Sequence, residues 1–175
     1  RIGFAANLSS RDPVPLRDPA VVRFERLHCE DRYWTDSDGG PNTRFICTGN
    51  ALLLVGEAGS DYFRDADQGF LARFRHQYFL VFLIAHFHRA ALLSFSDGLA
   101  SAVNDLDIRD SESVRRFKRR IRQSFETFLR FTHRYWFHEV SEQGLVQALF
   151  QRTTRLLRND ELFSDVKGQV REMRD

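Results

Sequence analysis

A ten-residue apolar run, Tyr78–Phe87, constrains this chain more than any other feature, because it lies inside a long stretch of helical pattern. Tyr78-Phe-Leu-Val-Phe-Leu-Ile-Ala-His-Phe87 carries apolar side chains around its whole circumference, and a helix of that kind is expected to be covered on every side. The cover is the chain's own core, a partner subunit or a membrane. A bilayer span needs about 20 apolar residues, whereas a run of about 10–14 is typical of a buried core helix. Arg75-His76 and His88-Arg89 close the run at both ends. We therefore read it as the central helix of a bundle or the buried face of an oligomer, with protein as its cover.

The pattern extends this helix from about Tyr62 to about Asp105, capped by Ser60 or Asp61, with Gly69 and Gly98 as points where it can kink. At ~1.5 Å per residue it would exceed ~60 Å. A turn over Asn104–Asp110 precedes a second helix, Glu112 to about Glu139, capped by Asp110 or Ser111. Its apolar stripe is Val114, Phe117, Ile121, Phe125, Phe128, Phe131 and Tyr135, advancing by three or four. A bend is expected at Ser141–Gly144, after which Leu145, Leu149, Phe150, Leu156 and Leu157 resume the pattern. Asn159-Asp160 reads as a turn before a last helix, Glu161–Met173, with Leu162, Val166 and Val170 on its apolar face.

The N-terminal third uses a different language. Residues 1–20 hold three of the four prolines and read as an extended lead-in. Residues 21–57 read as a small sheet of two or three antiparallel strands, from Val21–Cys29, Arg44–Cys47 and Ala51–Val55, with turns at Asp36–Pro41 and Gly49-Asn50. So small a sheet is marginal alone and should pack on a helix or extend a sheet begun upstream. The expected fold class is α+β and mostly helical: a small sheet, then a long-helix bundle over 61–175, the whole of 21–175 forming one domain.

The 175 residues carry 42% hydrophobic residues and seventeen Phe, ample for an aromatic core. A net charge of +2 gives no global field favouring nucleic acid or acidic lipid. Six cations lie within Arg115–Arg122, and Arg115, Arg116, Arg119 and Arg120 are the candidate contacts for an acidic partner or RNA. A solvated face balanced by neighbouring acids explains the same pattern, and nucleic acid is not the expected partner. Cys29 and Cys47 are read as two buried thiols in a reducing compartment rather than a bridge, and neither has C-x-x-C spacing.

His86 and His88 point about 200° apart on a helix, so His76, His86 and His88 do not form a three-His site. His138 and Glu142 do have i,i+4 spacing and are the candidate metal pair, although two ligands do not make a site. There is no G-x-S-x-G, H-E-x-x-H, P-loop or glycine-rich dinucleotide turn, and an enzyme is not expected.

Phe131-Thr-His-Arg-Tyr-Trp-Phe-His-Glu-Val-Ser-Glu-Gln143, with Gln147-Ala-Leu-Phe150 and Leu162-Phe-Ser-Asp-Val166, resembles the late cytosolic part of bacterial CorA-like membrane proteins, of the divalent-cation transporter superfamily. The resemblance reaches back through His76-Gln-Tyr-Phe79 and Arg89–Asp97, covering roughly residues 60 to 173. It implies a cytosolic α/β domain leading into a long helix, two membrane helices with a Gly-Met-Asn signature, and a pentamer that moves divalent cations such as magnesium. This sequence runs to Asp175 without that signature, so no pore or ion-selecting residue is carried over. The expectation is a soluble domain cut before the membrane, on the cytoplasmic side of the bacterial inner membrane. It would act as scaffold, oligomerisation surface and ion sensor, with a divalent cation as the full-length protein's ligand. The start at Arg1, lacking both Met and a signal-peptide pattern, fits a fragment. The competing reading is a soluble helical module using the Arg115–Arg122 face. An enzyme built on His138 and Glu142 comes third.

Overall fold

A computed structural model of the chain describes residues 18–33, 43–49, 51–56 and 59–174. The fold is α+β and mostly helical. Helix α1 (Pro19–His28) leads into strands β1 (Cys29–Tyr33), β2 (Thr43–Cys47) and β3 (Leu52–Gly56). Short helices α2 (Asp61–Arg64) and α3 (Phe70–Arg73) and a π-helical turn (Phe74–Tyr78) follow. Four longer helices complete the chain: α4 (Phe79–Asn104), α5 (Ser111–Arg134), α6 (Gly144–Leu156) and α7 (Asn159–Arg174). Of the expected lead-in, residues 1–17 lie outside the described residues, as do the turn at Asp36–Pro41 and Asn50.

The stretch Val21–Cys29, expected as a strand, is helix as far as His28. Asp18 caps it by accepting from the Ala20 amide at 2.7 Å, and Pro19 occupies the first turn, where its missing N–H costs nothing. The strand begins only at Cys29. The sheet is antiparallel in the order β1-β2-β3, and β2 and β3 match the expected second and third strands. Cys29 pairs with Ile46, so Cys47, one residue on, points to the opposite face, and both cysteines are free thiols.

The single long helix expected from Tyr62 to Asp105 is interrupted. Asp65 Oδ1 accepts from the amides of Asp67 and Gln68 at 2.8 and 3.1 Å, a local alternative to helical bonding that separates α2 from α3. Gly69 completes the break: a Cβ there would lie 1.9 Å from the Tyr62 carbonyl oxygen. Gly98, the other expected kink, sits within unbroken α4. Helix α5 ends at Arg134, not near Glu139, and Asp110 caps it through the amides of Glu112 and Ser113. Helix α7 starts two residues earlier than expected, after Arg158 turns the chain with φ 54°.

The contacts divide the chain into two compact units. The first comprises Arg1–Leu83 and Ser141–Leu156. In it β2 is covered by α1 and α6: Phe24 packs on Ile46, Arg152 donates to the His28 carbonyl at 3.3 Å, and Cys47 Sγ lies 3.2 Å from Thr153 Oγ1. The marginal sheet thus has the helical cover it requires. Phe45, fully buried, meets Tyr78 and Phe70 edge to face.

The second unit comprises Ile84–Val140 and Leu157–Asp175. Its core joins Leu92, Leu99 and Ala102 of α4, Ile121, Phe128 and Phe131 of α5, and Val166 and Val170 of α7. The expected stripe on α5 therefore faces inward, except that Tyr135 lies past the helix end and is exposed.

Candidate interaction surfaces

Within this chain the apolar run is covered on one side only. Val81 and Ala85 are buried, but Phe79, Leu80 and Leu83 in the first unit, and Phe87 in the second, are each about half exposed. Along α4 the exposed positions are 79, 80, 83, 87, 90, 93, 94, 97, 100, 103 and 104, one continuous side of the helix. Asp97 is the sole charged residue on that side; Ala90, Ser94 and Ala100 leave it low enough for close approach. The continuous helical stretch Phe70–Asn104 is also the one helix among the described residues long and apolar enough to cross a membrane, with 22% of its most apolar window buried. The ten-residue run understated this length, because it stopped at His88 and Arg89.

Both of those polar residues have partners within the second unit. Arg89 donates to the Leu157 carbonyl, and Asn159 Nδ2 donates to the Ala85 carbonyl at 2.8 Å. His88, 1% exposed, donates from Nε2 to the Tyr135 carbonyl at 2.5 Å. Its ring lies 4.9 Å from Trp136 and about 6 Å from Phe131 and Phe137. Trp136 in turn stacks on Phe163 at 4.4 Å. The segment Phe131–His138 is therefore an aromatic clamp joining the end of α5 to α4 and α7. Burial pushes the His88 pKa below the usual imidazole value; His138 adds to this, while the Tyr135 carbonyl and Asp160 oppose it.

His138 and Glu142 do not form the expected helical pair. Both are exposed and lie in the irregular segment 135–143, where i,i+4 spacing no longer places two side chains on one face. Among the described residues there is no group of three or more His, Cys, Asp or Glu able to hold a metal. His76 is exposed while His86 and His88 are inward or half-buried, so the three do not converge.

The basic face of α5 is partly balanced by the chain's own acids. Arg116 pairs with Asp110 at 3.7 Å, Arg119 with Glu112 at 3.3 Å, and Arg120 with Asp105 at 2.6 Å while also donating to Ser101. Arg115 is exposed on the same face. Elsewhere, burial raises the Cys47 thiol pKa against the opposing influence of Thr153 and Arg152, so Cys47 is a packed thiol and not an activated nucleophile.

With the geometry in view, the chain's likeness to known proteins is simply stated: no protein family, curated protein or solved structure matches it. The exposed side of α4 was missed because periodicity marks which residues are apolar, not how many of them the fold can cover. The signal was there: an all-round apolar helix in a chain with few partners long enough to flank it on every side.

Proposed function

We propose that this chain is the cytosolic assembly domain of a CorA-like membrane protein, a scaffold whose copies pack together through the exposed side of α4. The observation that carries this reading is that side itself: an apolar stripe along a helix of 26 residues, uncharged except at Asp97. Exposed apolar stripes of this size mark interaction surfaces. An uncharged face gives a charged partner nothing to recognise, whereas like faces of two copies complement one another. The opposite side of α4 packs on α5 and α7 through Leu92, Leu99 and Ala102, so the helix has a protein-facing side that a lipid-surrounded span would lack. The resemblance of the Phe131–Gln143 segment supports the family reading.

The test is the association state of the chain at rising concentration, by sedimentation or light scattering, for the native sequence and for Phe87→Glu with Leu93→Glu. Both positions are about half exposed, and because the Phe87 ring also meets Phe131 and Tyr135, circular dichroism checks that the variant is folded. The native chain is expected to self-associate and the variant to remain monomeric. A native chain that stays monomeric at high micromolar concentration overturns the assembly reading. The family is tested separately: the parent reading frame should encode about 50 to 60 apolar-rich residues after Asp175, enough for two spans of ~20 apolar residues each.

A further inference from the structure

The second unit carries another surface, unlike α4 in both shape and charge. Helices α5 and α7 pack antiparallel, with Met173 near Phe117 and Ile121, and Phe163 near Phe128. Between them run two open cavities of 790 and 340 Å3 that share Phe125. Their floor is apolar: Phe117, Ile121, Phe125, Phe128, Val170 and Met173. Their rims are cationic. Lys118 and Arg122 stand on α5, Lys167 and Arg171 on α7, and His133 closes the far end. None of these five has an ion pair among the described residues, unlike Arg116, Arg119 and Arg120 on the neighbouring face. The single acid at the rim, Glu126, is held by Arg130 at 4.0 Å.

We propose that this groove docks an amphipathic helix of a partner polypeptide, whose apolar face fills the floor and whose flanking carboxylates meet the two basic rims. Two observations select that occupant. From Lys118 to His133 the groove follows α5 for about 22 Å, the length of a four-turn helix. Cations recur at i,i+4 on both rims, Lys118 and Arg122 on one, Lys167 and Arg171 on the other. A helix presents acids at that spacing on both sides of its apolar stripe. A fatty-acid chain has charge at one end only and would call for cations at one mouth. A bilayer surface cannot reach a floor sunk between two helices. RNA would need free ring faces for its bases. Here Phe128 stacks on Phe163 at 5.6 Å and Phe163 on Trp136, so those faces are already occupied.

The experiment uses fluorescein-labelled helical peptides of about 18 residues (~27 Å as a helix). They share one Leu/Ile stripe, flanked by Glu in one peptide and by Lys in the other. Fluorescence anisotropy with the full chain is expected to show binding of the Glu peptide that weakens as salt rises. Lys167→Glu with Arg171→Glu should lower that affinity at least about tenfold and confer binding of the Lys peptide. Both positions are exposed, and circular dichroism checks that the variant is folded; Lys167→Gln with Arg171→Gln serves if it is not. Equal binding of both peptides, or no binding at about 50 mM salt where screening is weak, overturns the proposal. Binding of laurate or anionic vesicles without the Glu peptide also overturns it and assigns the groove to lipid. The Phe87→Glu, Leu93→Glu variant should bind the Glu peptide as the native chain does, which separates this surface from the assembly face.

Discussion

His88 shows how one side chain can organise its surroundings and set a pH limit. It is buried neutral against Trp136 and hydrogen-bonded to the Tyr135 carbonyl. Its folded pKa lies below 6.5, so between the two pKa values the unfolded chain binds the extra proton and stability rises with pH. The His88 contribution is complete above about pH 6.5 and is lost as pH falls towards the folded pKa. Urea unfolding at pH 7.5 and 5.5 should show a loss in the native chain that is smaller in His88→Gln, since glutamine keeps a donor without titrating there. An equal loss in both would assign the pH dependence to other groups. Nothing in the sequence marked His88 as the buried one of three histidines. Which side of α4 faces α5 is decided by packing, and the partner is a backbone carbonyl 47 residues away.

Among the elements, two glycines that look alike in the sequence have opposite roles. At Gly69 a Cβ would collide with the Tyr62 carbonyl oxygen, which is backbone and cannot swing aside. Gly98 has nothing within 4 Å of the same position and lies inside a helix. Gly69→Ala is therefore expected to destabilise by about 1–3 kcal/mol, and Gly98→Ala to stabilise by up to about 1 kcal/mol. Thermal melts of the two variants check both signs. Helix α5 was legible because a stripe of seven residues at spacing three or four has no other explanation. Helix α1 was misread because Val21–Cys29 alternates in part. The Asp18-Pro19 pair, a cap followed by a proline in the first turn, was the signal that could have identified it.

Across the whole molecule, the two proposed surfaces, the apolar side of α4 and the basic-rimmed groove of α5 and α7, differ in chemistry. If copies associate through α4, folding is linked to association and the melting temperature depends on concentration. A tenfold dilution of the native chain should lower its melting temperature, while the Phe87→Glu, Leu93→Glu variant should melt at one temperature throughout. Concentration-independent melting of the native chain would count against the assembly reading. The same linkage predicts that the Glu-flanked peptide raises the melting temperature of both forms.

Periodicity and capping residues determined by themselves that this chain is α+β and mostly helical, which face of α5 and of α7 is apolar, and where β2 and β3 run. These are local properties: side-chain direction follows from 3.6 or 2 residues per turn, and a cap needs only its own neighbours. Tertiary structure alone decided that the apolar run of α4 is covered on one side and open on the other. It also balanced part of the Arg115–Arg122 face with Asp105, Asp110 and Glu112, left Lys118 and Arg122 to a groove, and dissolved the His138–Glu142 pair in a loop. Each of these depends on which distant elements meet. That is set by how much apolar surface the available partners can cover, a sum over the whole chain that no local window contains.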